Sequence, residues 1–271
     1  MNILVCVKRV PQTGGRIVLT PDGQDIDTKY LGFTISPHEE CGVEEAVRIV
    51  EAQGGSSAVL TLGPAAAEDQ LRDAMALGIE RAILLETDGS DWDPVSTAAA
   101  IAAAIQADEA AHGPFDLILF GNESADSGGF QVGIRVAFAL GRPVVNGIKA
   151  LAFRDDTAIA RREAPGGGLE TYELPLPAIV GVKEGINLPR YPSVPGRLRA
   201  KKKEIERVAV GATTDRTAQA SAGAANRHTG PTKLGLRLPA EERTAAEVMG
   251  RGPEAAPAVV DLLERIGVVA R

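Results

Sequence analysis

The chain has 271 residues, 44% of them hydrophobic, a formal net charge of −7 and two cysteines. A chain this long and this apolar can bury a full core without metals or disulfides, and its acidic balance argues against general nucleic-acid binding. Cys6 and Cys41 show no pairing pattern or metal-ligand spacing, no apolar run reaches the roughly 18 residues that span a bilayer, and the first residues lack a secretory pattern. A protein of the reducing cytoplasm that starts at Met1 and inserts in no membrane is therefore expected.

Residues 2–7 form the first short run of Val, Ile and Leu, as expected of a strand covered on both faces. Ser36, Pro37 and Glu39 read as an N-cap, a first-turn proline and a capping-box glutamate, and Val43, Ala46, Val47 and Val50 follow at helical spacing. Residues 57–62 predict a second strand, and Leu71, Ala74 and Met75 a helix closed by Gly78. A third strand over 81–85 is followed by Asp93-Pro94, which opens an alanine-rich helix to about Ala107, and then by a strand over 115–120. Strands alternating with helices mean a parallel sheet. The expected fold class is α/β, with a doubly wound, mostly parallel sheet.

In such a sheet ligands bind beyond the carboxyl ends of the strands where the winding reverses. That rule sets residues 6–8 beside the loop 121–133, Gly-Asn-Glu-Ser-Ala-Asp-Ser-Gly-Gly-Phe-Gln-Val-Gly. The loop follows a strand and opens a helix, so its N–H groups can hold a phosphate; equally, its glycines can serve only to turn the chain. It contains neither GxGxxG nor GxxxxGK[ST]. His38, His112 and His228 are scattered, so no metal site is expected. Asp126 and Glu163 have no base or second carboxylate tied to them by spacing, so no catalytic pair is expected either.

Further on, residues 157–163 and 169–174 alternate in polarity around Gly166-Gly167-Gly168, which predicts a β-hairpin. A short buried strand follows Pro177. Three prolines within 187–196 predict an exposed, non-helical arm, behind which Arg197, Arg199, Lys201, Lys202, Lys203 and Arg207 crowd together. That basic run is either a solvated face or a surface that docks an acidic partner. Residues 211–230, rich in Ala, Thr, Ser and Gly, read as an extended linker. Val259, Leu262, Leu263 and Ile266 then form an apolar stripe at helical spacing, ended by Gly267. A helix with such a stripe packs either on a partner or on its own chain.

Several of these stretches resemble, in order and spacing, the electron transfer flavoprotein β subunit family. They are Arg162-Glu163, Gly167-Gly168-Leu169-Glu170-Thr171, Leu176-Pro177-Ala178, Asn187-Leu188-Pro189-Arg190-Tyr191-Pro192-Ser193 and Ala200-Lys201-Lys202-Lys203. Val5-Cys6-Val7-Lys8-Arg9-Val10-Pro11 and Val43-Glu44-Glu45-Ala46-Val47 agree with the family's first strand and helix. The resemblance implies a Rossmann-like, adenine-nucleotide-binding domain over 1–207 that includes a recognition hairpin and arm (157–203). A linker with a short helix (208–252) and a C-terminal helix (253–271) that packs on an α subunit would follow.

By the same resemblance the chain is an electron carrier and not a turnover enzyme. It forms a heterodimer with an α subunit that holds the redox FAD, and it accepts electrons from partner flavin dehydrogenases. The crevice binds AMP, at positions matching Cys6, Ser36, Leu62, Gly121, Asn122, Asp126, Ser127, Gly128, Gly129, Phe130, Gln131 and Val132. Ordinary members usually carry Asn at Ser36 and Asn-Gln-Thr-Gly at residues 130–133. The Gln131-Val132-Gly133 found here is nearer to electron-bifurcating members, which hold a second FAD in this crevice and oxidise NADH; their Asp-Gly-Asp-Thr-Ala is matched only at Asp126. Docking of dehydrogenases falls to Arg190, Tyr191, Val194, Lys201, Lys202 and Lys203, with Val194 as apolar anchor, although Arg190 could instead hold the arm's fold through backbone carbonyls. Residues 11–16 are expected to face the flavin, and Glu163 to lie near it. A stand-alone nucleotide-binding regulator of the universal-stress type shares the sheet topology but has no use for the hairpin, arm and trailing helix.

Overall fold

A computed structural model describes residues 1–12, 14, 17–210, 233–239 and 247–269, and the chain divides into two units, Met1–Leu234 and Gly235–Arg271. In the first unit, β1 (Asn2–Val7) leads through a small antiparallel ribbon of β2 (Val10–Pro11) and β3 (Phe33–Thr34) into α1 (Pro37–Gln53). There follow β4 (Ser56–Gly63), α2 (Glu68–Leu77), β5 (Arg81–Glu86), α3 (Pro94–His112), β6 (Leu117–Gly121), α4 (Val132–Leu140) and β7 (Val144–Arg154). Strands β8 (Thr157–Glu163) and β9 (Leu169–Pro175) continue β7 as an antiparallel meander. β10 (Ala178–Val182) then slots between β6 and β7, parallel to both. After α5 (Val194–Ala200), β11 (Glu206–Ala209) adds to the opposite edge beside β5.

The sheet order is β11-β5-β4-β1-β6-β10-β7-β8-β9, so the winding reverses at β1, between β4 and β6. The sequence of β1 explains its central place: it is almost wholly apolar, and both of its faces are buried. Ile3, Val5 and Val7 pack with Val43, Val47 and Leu71 of α1 and α2. Leu4 and Cys6 pack on the other face with Ile101 and Ile105 of α3 and Val136 of α4. Each fully buried Val, Leu or Ile contributes roughly 1.5–3 kcal/mol, so these two layers fix the strand from which the crevice opens.

The doubly wound α/β expectation holds, with three differences in detail. Helix α3 runs on past Ala107 to His112 because Asp108, nearly buried, pairs with Arg81 at the start of β5 and lies 3.0 Å from His112 Nδ1. The arm is not extended to residue 196: Ser193 accepts the Gly196 N–H at 3.1 Å and caps α5, with Pro195 tolerated in its first turn. Strands β7 and β11 had no counterpart among the predicted elements.

The predicted linker 211–230 lies outside the described residues, and the short helix expected within 208–252 falls partly outside them; residues 233–239 and 247–250 form none. In the second unit a short turn leads into α6 (Ala256–Arg265), none of whose residues is buried. Val259, Val260 and Ile266 are exposed. Among the described residues no helix is long and apolar enough to cross a membrane, and no group of His, Cys, Asp and Glu is arranged to hold a metal ion.

Candidate functional site: a crevice at the reversal of winding

Cys6 stands opposite Phe120 in the β1–β6 ladder, and beyond this pair the two strands part. A cavity of about 370 Å³ opens there, lined by Ser36, His38, Glu123, Asp126, Ser127 and Gly128 among others. The α1 capping box builds its wall. Ser36 Oγ accepts the Glu39 N–H, while the Glu39 carboxylate accepts the Ser36 N–H on one oxygen and the Lys8 N–H on the other, both at 2.8 Å. Gly121 closes the far side: a Cβ there would stand 2.6 Å from Glu39 Cγ. One buried carboxyl thus ties the end of β1 to the start of α1, with the end of β6 packed against its stem at Gly121.

Burial pushes the Glu39 carboxyl up to about 7, against the hydrogen bonds from Ser36 and Lys8 that favour its charged form. Burial, with Glu39 adding to it, also pushes the Cys6 thiol far up, so this cysteine is an inert core residue. Glu39 makes stability depend on pH in a definite direction. The native carboxyl keeps its proton to about pH 7, whereas the unfolded chain releases it near 4.5. Between these values the folded state binds more protons, so stability falls as pH rises, by about 3 kcal/mol across the window. Denaturant melts from pH 4.5 to 8 should therefore show the wild type losing stability relative to Glu39→Gln; parallel curves would overturn this.

Lys8 Nζ reaches Asp126 Oδ2 at 2.7 Å. Burial would raise the Asp126 carboxyl, but the charge and hydrogen bond of Lys8, with help from Ser124 and Ser127, hold it below the usual range. His38 bridges two further segments. Its Nδ1 accepts the Glu184 N–H at 2.8 Å, so Nε2 carries the proton and donates to Glu123 Oε1 at 3.3 Å. Gly128 and Phe130 both have positive φ, at 54° and 55°, and Phe130 is half-exposed. For a bulky aromatic that backbone is strained. The strain brings the chain into α4, whose N-cap Gln131 makes no side-chain capping bond. Among the described residues no side chain accepts from the first N–H groups of α4.

Of the predicted cofactor-binding residues, Ser36, Asp126, Ser127 and Gly128 line the cavity. Gly121 and Asn122 precede the lining residues at the end of β6 and do not line the cavity themselves; the Asn122 N–H donates to Val182 O at 2.8 Å. Gly129, Phe130, Gln131 and Val132 carry the loop into α4. Cys6 lies buried at the end of β1, and Leu62 sits on β4, on the far side of β1 from β6; neither lines the cavity. Sequence spacing left Asp126 and Glu163 without partners, which the fold corrects: Lys8 comes to the first, and Lys149 (3.0 Å) and Lys183 (3.5 Å) to the second. Lys149 holds the exposed Glu163 carboxyl below its usual range. Of residues 11–16, Thr13, Gly15 and Arg16 lie outside the described residues. Glu39 reads from sequence as a capping-box residue and Glu123 falls within the loop 121–133, but the bond between Glu39 and Lys8 and the contact between His38 and Glu123 are missed there.

The arm after β10 is clasped to α1. Asn187 Nδ2 donates to Cys41 O and Glu45 Oε2, and the Arg190 guanidinium lies between Glu44 and Glu51, two turns apart on α1, with contacts of 2.7–3.2 Å. Arg190 does hold the arm, but through carboxylates and not through backbone carbonyls. Leu188, Tyr191 and Val194 point outward, 90%, 96% and 72% exposed. Helix α5 lies so close to α2 that a Cβ on Gly196 would stand 2.4 Å from Ala76 O. Arg72 donates to Ala200 O, and Lys203 Nζ donates to Ile79 O and Glu80 O. Lys203 and Arg207 are thus engaged within the chain, while Lys201 and Lys202 are exposed and make no ion pair among the described residues.

A model of the electron transfer flavoprotein domain matches residues 25–213. The chain is 36% identical over 209 residues to the electron transfer flavoprotein subunit beta of Bacillus subtilis, covering 76% of this chain and 78% of that one. It is 32% identical over 255 residues to the subunit of the same name from Mycobacterium leprae, with 91% of each chain covered. It is also 32% identical over 209 residues to the mitochondrial subunit of Oryza sativa subsp. indica, covering 77% and 81%. The family model spans well over half of the chain and the likeness to these relatives covers between 76% and 91% of it, so the chain belongs to the electron transfer flavoprotein β-subunit family.

Proposed function

We propose that this chain is the β half of a heterodimeric electron carrier of the cytoplasm, one that relays electrons and turns over no substrate of its own. The α subunit holds the FAD, which supplies the redox chemistry. Residues 11–16 and Glu163 of this chain face that flavin, and α6 packs on the α subunit. The arm docks reduced flavin dehydrogenases through Tyr191 and Val194, while Lys201 and Lys202 steer the encounter. An arm pinned by Asn187 and Arg190 yet presenting apolar side chains supports docking, because little ordering is left to be lost on contact.

The crevice holds AMP. The observation that carries this is a cavity of about 370 Å³ at the reversal of winding, within the roughly 300–1,000 Å³ range of small-molecule pockets and enough for a mononucleotide. The uncapped start of α4 suits a phosphate. Gln131-Val132-Gly133 is the one feature that favours the bifurcating alternative. Extraction of nucleotides from the co-expressed complex decides between them. One FAD and one AMP per heterodimer are expected. Two FAD with rapid reduction by NADH would replace AMP by the second flavin, and a β chain stable and functional without an α subunit would overturn the carrier itself.

A further inference from the structure

We propose that Glu123, held in place by His38, is the acceptor that selects the ribose hydroxyls of the crevice nucleotide; this deepens the AMP reading and rests on it. The pair joins three segments far apart in sequence: His38 in the first turn of α1, Glu123 in the loop after β6, and Glu184 after β10. The backbone N–H of Glu184 occupies His38 Nδ1, which aims the remaining ring proton at Glu123 Oε1. The His38 side chain is only 12% exposed, so it acts from behind, as a positioning residue. Oε2 of Glu123 accepts no hydrogen bond among the described residues. It lies 3.5 Å from where a Cβ of residue 128 would stand, and glycine there leaves the approach to it open.

Charge decides what can approach. The cavity presents two carboxylates, Glu123 and Asp126, and the nearby ammonium of Lys8 is already paired with Asp126 at 2.7 Å. A phosphate set against Glu123 would meet a like charge that no cation neutralises while His38 is neutral, repelling by several kcal/mol at about 4 Å in a partly buried site. The phosphate therefore belongs at the uncapped start of α4, and Glu123 takes a neutral donor. A nucleotide offers two such groups, the ribose hydroxyls and the amine of the base. The sugar is the one bonded directly to the phosphate, and Glu123 and the α4 start are the two ends of a single short loop. A carboxylate at this end of a doubly wound sheet suits a ribose diol, whose hydroxyls donate to it.

The test uses the heterodimer refolded without nucleotide and titrated calorimetrically with AMP, 2′-deoxy-AMP and 3′-deoxy-AMP. A hydrogen bond to a charged acceptor corresponds to about tenfold or more in affinity. Wild type should prefer AMP to at least one deoxy form by that factor. Glu123→Ala should bind all three within about twofold of one another, Glu123→Gln should fall between, and His38→Ala should lower the discrimination while the melting temperature of Glu123→Gln stays near wild type. Discrimination unchanged in Glu123→Ala, or absent in a wild type that binds AMP, overturns this assignment alone. A wild type that binds no AMP overturns the parent reading and this one with it.

Discussion

Val194→Asp should leave the heterodimer and the flavin spectrum intact and slow electron transfer from a partner dehydrogenase by well over tenfold. Val194 is the first residue of α5 and largely exposed, so its replacement touches no core contact. If it fills an apolar pocket on the partner, burial of the valine is worth about 1.5–3 kcal/mol, and Val194→Ala should cost up to about tenfold in apparent affinity. An aspartate would carry an unpaired carboxylate into that pocket and cost more. Arg190→Ala provides the contrast, because it should loosen the arm and also lower stability. It strips the partner from Glu44, whose side chain is only 5% exposed. The loss should be about 2–3 kcal/mol, below that of a fully buried pair because the guanidinium is partly in water. Arg190→Lys should rescue little, since one ammonium cannot bridge two carboxylates in the bidentate manner of a guanidinium. Steady-state assays and denaturant melts read the two effects separately. An aspartate variant as fast as wild type removes Val194 as the anchor.

What could be read from the sequence was local or topological. Ser36, Pro37 and Glu39 announced the start of α1 because a capping box is a four-residue pattern, and the structure forms both of its bonds. The reversal of winding follows from the alternation of elements, which sets the end of β1 beside the loop after β6, as the sheet order has it. The unread part consists of pairs across the fold. Lys8 and Asp126 are 118 positions apart, His38 and Glu123 are 85 apart, and Arg190 lies 146 from Glu44. No spacing rule links such residues; the pairing of β1 with β6 and the layering of α1 against the sheet bring them together. The same limit explains Glu39: its capping role was visible, but not that Gly121 would come to lie against it and seal the carboxyl from water. It also explains β11, whose short, exposed and charged sequence carries no strand signal and which pairs because the chain returns along β5.

Removing residues 253–271 should abolish co-purification with the α subunit. Helix α6 has ten residues, a non-capping Ala255 at its start and no buried side chain. A helix that short is marginal in water on propensity alone, so it needs a surface for its apolar stripe. Val259, Leu262, Leu263 and Ile266 would together contribute roughly 6–12 kcal/mol if fully buried, before the cost of ordering the segment is subtracted. Even half of that surplus separates a complex that survives purification from one that does not, since each 1.4 kcal/mol is about tenfold in affinity. Leu263→Asp tests the same contact without shortening the chain, and should weaken assembly by about a hundredfold or more while the first unit melts as in wild type. Pull-down with a tagged α subunit, followed by titration of the two purified chains, measures both. An unchanged yield from the truncated chain would mean that the α subunit is held elsewhere and that the stripe of α6 serves no part in the pairing.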